Sequence, residues 1–136
     1  GPHLKTVFCA INPTTDILRR GHKNINRIKI IKNLKKNNIK NDYPAYNYFK
    51  NLTNYKFVIS PEGNGIDTHR FWECLYLKVI PICLKNHITE YYSKNFPIVL
   101  LDNWNDIDEN MLHSFYNNAN WNNYDMLNFE RRRKIV

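Results

Sequence analysis

No apolar run in the chain approaches the roughly 20 residues that a bilayer-spanning helix needs, and the start carries no charged-then-apolar leader pattern. Cysteine is too rare for a disulfide framework: Cys9, Cys74 and Cys83 are odd in number and none is spaced for a metal. Each lies among apolar residues, so buried reduced thiols are expected, and with them a reducing, cytoplasmic compartment. A Golgi lumen is the alternative if the chain is part of a membrane-anchored enzyme. No cluster of carboxylates suggests a metal site. Alanine and glycine are both scarce, and two of the four glycines, Gly63 and Gly65, fall in one short stretch.

What is present describes a folded domain. Hydrophobic residues make up 43% of the 136 residues, enough for a real core in one unit of ordinary size. Residues 1–3 are set apart, because Gly1-Pro2 reads as a protease remnant; 4–136 reads as a single domain. The formal charge of +8 favours polyanionic partners. Heavy use of Asn, Lys, Ile and Tyr is also the coding bias of an A+T-rich genome, which raises lysine content without a functional cause.

The pattern of elements alternates. LKTVFCAI, residues 4–11, is a continuous β-rich run of the kind covered on both faces. From Asn24, apolar residues at Ile25, Ile28, Ile31 (or Ile30) and Leu34 step at helical spacing. A second helix is predicted over 44–53, with Tyr46, Phe49 and Leu52 on one side. Strands follow at 56–60, 80–84 and 98–101, with helices at 67–78, 87–94, 108–118 and 122–133. Such alternation predicts an α/β, Rossmann-like fold with a short, mostly parallel sheet and helices on both faces.

The stretch SPEGNGIDTHRFWE, residues 60–73, joins a strand to a helix. In an open parallel sheet, ligands collect beyond the carboxyl ends of strands, where loops enter helix N-termini. Those termini offer unpaired N–H groups and about half a positive charge. Gly63 and Gly65 let backbone approach a ligand with no Cβ in the way. The combination describes an anion cradle formed by Glu62, Gly63, Asn64, Gly65, Asp67, Thr68, His69 and Arg70. A plainer account has Asp67 or Thr68 capping the helix and the glycines serving a turn. It leaves unexplained why His69 and Arg70 stand in the first turn, where cations oppose the dipole by about 0.3–1 kcal/mol each. An anion there reverses that sign. Arg70 and Glu73, three apart, share a helix face. Their bland role is a surface ion pair; their sharper one gives phosphate oxygens to Arg70 and ribose hydroxyls to Glu73.

KFVISPEGNGIDTHRFWECLYLKVIPI resembles the donor-binding segment of exostosin-like glycosyltransferases of the GT-B class, over residues 55–84. There a strand and a Pro/Gly turn lead into Arg-Phe-x-Glu-x-Leu and then a Val/Ile-Pro-Val/Ile strand. Arg70, Phe71, Glu73, Leu75 and Ile80-Pro81-Ile82 match those positions. The α1,3-fucosyltransferase-like enzymes have a similar layout with Lys in place of Arg70. One departure is Lys78, where the family usually has a small residue.

The resemblance implies the nucleotide-binding half of a GT-B enzyme, a UDP- or GDP-sugar as donor, a glycan or protein acceptor, and a further N-terminal domain. It carries donor contacts to Gly63, Gly65, Thr68, Arg70 and Glu73. It also implies an additional basic residue from an earlier loop or helix, Arg27 or else Arg19 or Arg20. Arg70 is the expected catalytic residue, stabilising the departing diphosphate without a divalent metal. Asp67 and His69 are candidates for the base that activates the acceptor, by location only. The rival expectations are a non-catalytic interaction module of transferase-like fold and a basic domain for single-stranded nucleic acid.

Overall fold

The computed structural model describes residues 5–13, 27–61 and 69–127, and for His69 and Arg70 the backbone alone. Four parallel strands lie in the order β1-β2-β3-β4, with β1 at Lys5–Phe8, β2 at Tyr55–Ile59, β3 at Ile80–Leu84 and β4 at Val99–Leu101. Registers Phe8↔Val58, Val58↔Pro81 and Ile82↔Val99 tie the sheet together. The helices are α1 (Arg27–Lys36), α2 (Tyr48–Leu52), α3 (His69–Tyr76), α4 (His87–Ser93) and α5 (Glu109–Asn117). A 3-10 turn at Trp104–Asp106 precedes α5, and residues 124–127 are helical. The fold is α/β and Rossmann-like. No described helix is long and apolar enough to cross a membrane.

Strand alternation sends side chains to two faces, and each face has its own cover. On one, Ile30 and Leu34 of α1 and Leu112 of α5 pack on Phe57, Ile59, Ile80, Ile82, Val99 and Leu101. On the other, Leu52 of α2 and Cys74 of α3 meet Phe8 and Val58, while Phe71 and Leu75 of α3 meet Cys83. Both layers are apolar, which is why strands such as IPICL read as uninterrupted apolar runs.

Several boundaries differ from the sequence expectation, each for a physical reason. The first strand ends at Phe8, not residue 11, because the next backbone groups have other partners. Asp42 N–H donates to the Cys9 carbonyl (2.8 Å), and the Asn41 side chain takes both the N–H (2.7 Å) and the carbonyl (2.9 Å) of Ile11. The helix expected from 44 begins only at Tyr48, since Asn47 holds a left-handed φ of 54°. Tyr46 is 82% exposed and Phe49 43%, so of that trio only Leu52 is core. In α1 the inward position is Ile30, whereas Ile28 is 46% exposed. The 67–78 helix is seen over His69–Tyr76, with 67 and 68 outside the described residues. The 122–133 helix is seen only as its 124–127 portion, because residues beyond 127 are likewise not described. Cys9, Cys74 and Cys83 are all buried.

Candidate functional site

The four strands leave the sheet at one edge, and their connections diverge there. β1 leads to α1 on one face; its neighbour β2 leads to α3 on the opposite face. A crevice opens between two adjacent parallel strands whose connections part in this way, and that is where open α/β sheets take ligands. A second divergence separates β3, which leads to α4, from β4, which leads to α5.

At the second divergence the helix ends are satisfied by their own side chains. At α4, Asn86 Oδ1 accepts from the N–H groups of Ile88 (2.8 Å) and Thr89 (2.9 Å), and Thr89 Oγ1 accepts from Asn86 N–H (2.9 Å). At α5, Asp108 Oδ2 accepts from Met111 N–H at 2.9 Å, with Glu109 adding negative charge in the first turn. Those ends supply their own acceptors. The described part of α3 begins with His69 and Arg70 and that of α1 with Arg27; the residues just before each lie outside the described structure.

Arg27 is half-buried and donates from Nη1 to the Asn12 carbonyl at 3.1 Å, on the loop that leaves β1. Its guanidinium is thus tied to the carboxyl edge of the sheet instead of lying on an outer helix face. Glu73 is half-buried in the second turn of α3. His69 and Arg70 are the first two residues of that helix. Glu62, Gly63, Asn64, Gly65, Asp67 and Thr68 lie outside the described residues, as do Arg19 and Arg20.

What is described anchors the mouth firmly. Ser60 N–H donates to the Ile82 carbonyl (2.9 Å), carrying the β2–β3 pairing one step past the strand. The Ser60 side chain also hydrogen-bonds Cys83. Burial pushes the Cys83 thiol up to about 12 despite that bond, and burial with the nearby Asp42 carboxylate does the same for Cys9. Both are held as neutral thiols, unsuited to nucleophilic attack. Asn41 shapes the opposite wall through its pair of bonds to Ile11. Sequence reasoning missed it, because its partner is 30 residues away and no local pattern marks the pair.

Two open grooves lie elsewhere. One, of about 520 Å³, runs beside Phe96, Ile98 and Leu100; another, of about 320 Å³, lies between Lys5, Phe8 and Tyr46. Neither is lined by a candidate residue. Among the described residues, no three His, Cys, Asp or Glu side chains gather as a metal ion would require. No family model matches the chain, and no curated protein matches it.

Proposed function

We propose that the chain binds a nucleotide-diphosphate sugar in the β1–β2 crevice and forms the donor half of a glycosyltransferase. The observation that carries this reading is the divergence of the β1 and β2 connections at the carboxyl edge, where Arg27 is tied to the Asn12 carbonyl. A diphosphate there takes backbone N–H groups and a guanidinium as donors. Arg27, tethered at the neighbouring strand end, adds a second guanidinium. Glu73, one turn deeper, accepts from the ribose hydroxyls.

In the reaction, the bond between the anomeric carbon and the diphosphate oxygen breaks while the acceptor oxygen bonds that carbon. The acceptor proton passes to a base, for which Asp67 and His69 stand nearest in sequence. Charge builds on the departing oxygen, so Arg70 and the helix N–H groups act more strongly on the transition state than on the bound donor. The partner half supplies the acceptor, a glycan or protein hydroxyl.

A thermal-shift panel of UDP-, GDP- and dTDP-sugars tests the reading, because a ligand of the native state raises its apparent stability. One nucleotide family should raise the melting temperature by several degrees at about 100-fold excess over Kd. A panel that leaves the melting temperature unmoved contradicts it.

A further inference from the structure

The positive charge of this chain is not spread along it. Between residues 17 and 41 lie nine of the 20 Lys and Arg residues and none of the 12 Asp and Glu residues. The remaining residues hold eleven cations against twelve acids, so the whole excess sits in that one segment. A coding bias toward lysine raises its frequency everywhere; it does not remove acids from one stretch and balance charge in the rest.

The described part of the segment is α1 and the turn after it. Ile30 and Leu34 hold the helix to the sheet, and Ile39 is buried just beyond its end. Lys29, Lys32, Lys35 and Lys36 are all exposed on the outward side, and Lys40, past the end of the helix, is exposed as well. Lys32 and Lys36 are four apart, while Lys29 and Lys32 are three apart, all within the helix. Like charges at helical spacings of three and four repel by about 0.2–0.5 kcal/mol per pair. At about 1.5 Å rise per residue, the row from Lys29 to Lys36 is some 10 Å long and one helix wide.

We infer that this row is a binding surface for the phosphate backbone of a nucleic-acid strand. A narrow line of point charges matches a linear polyanion, which releases counterions on each contact. A membrane surface fits less well, because an interfacial helix inserts an apolar face and that face of α1 is spent on the core, leaving Ile28 alone outside. Lysines without a base-reading fork bind backbone and not sequence.

The test is fluorescence anisotropy with a labelled 12-nucleotide single strand and a 12-base-pair duplex across a salt series. Four contacts predict a slope of about −2.8 in log affinity against log salt for the single strand, at about −0.7 per contact. The exposed-residue variant Lys32→Glu/Lys36→Glu should weaken binding about tenfold or more and flatten the slope by about 1.4. Lys50→Glu/Lys94→Glu, with the same charge change on other exposed sites, should leave both nearly unchanged, and circular dichroism checks that both variants fold. Equal loss in the two variants overturns the assignment to α1, as does absence of binding at 50 mM salt. Tighter binding to heparin or to vesicles rich in phosphatidylserine overturns the nucleic-acid partner.

Discussion

Lys78 holds a backbone φ of 59°, a conformation glycine adopts more cheaply. It is the left-handed residue that ends α3. Val79 N–H donates to the Cys74 carbonyl (2.8 Å) and Lys78 N–H to that of Leu75 (2.9 Å), a Schellman closure. Here the lysine has another use, since its ammonium lies 4.8 Å from the Tyr124 ring centroid and 5.8 Å from that of Trp121. Such contacts are worth about 0.5–1 kcal/mol at exposed sites, while the left-handed backbone costs a non-glycine residue about 1–2 kcal/mol. Lys78→Ala should therefore be destabilised in urea melts, and Lys78→Gly should be more stable than Lys78→Ala by about 1 kcal/mol. Equal stability of the two variants would remove the backbone argument.

Cys9 and Cys83 make a second prediction at this scale. Their thiols are raised from 9.0 to about 12 by burial. The unfolded chain ionises them near 9 and the folded chain does not, so their contribution is complete below pH 9 and lost as pH rises from 9 through 12. The urea midpoint of the wild type should fall across that window, and Cys9→Ala/Cys83→Ala should show a shallower fall. At pH 8 the native thiols of Cys9 and Cys83 should resist Ellman's reagent until the chain is unfolded.

Among the described helix ends, that of α4 is closed most completely by its own side chains. Asn86 and Thr89 form a reciprocal capping box, and Thr89 is fully buried, its hydroxyl donating to the Leu84 carbonyl at 3.1 Å. Asn86→Ala should cost about 1 kcal/mol in denaturant melts. A cost near zero would mean that solvent satisfies the end equally well. The existence and place of most elements were legible because their signals are local. YKFVI, IPICL and PIVLL are short β-rich runs, and α3 and α5 show helical periodicity. What the sequence hid was non-local or conformational. Tyr46, Phe49 and Leu52 have helical spacing, yet Asn47 turns left-handed between the first two. The first strand looks three residues longer at its carboxyl end than it is, because Asn41 and Asp42 arrive from afar to take those backbone groups.

For the whole molecule, the sheet order and the faces taken by each connection decide where a ligand can sit. The carboxyl edge was legible from the βα order alone; the two divergence points were not, since residue patterns do not say which face a helix covers. Arg27 illustrates the gap: helix periodicity makes it an outer cation, whereas the hydrogen bond to Asn12 draws it to the mouth of the crevice. The loop that would complete the cradle, residues 62–68, lies outside the described structure, so the residues most legible in sequence are tested best by binding.

The most direct measurement is calorimetric titration of UDP and GDP into the wild type, Arg70→Ala and Arg70→Lys. The account predicts saturable binding of at least one diphosphate, weakened about tenfold or more in Arg70→Ala, the scale of one charge-assisted hydrogen bond. Arg70→Lys should fall between, with all three proteins melting at the same temperature. Binding that Arg70→Ala leaves unchanged, or no binding of either diphosphate by the wild type, would contradict it.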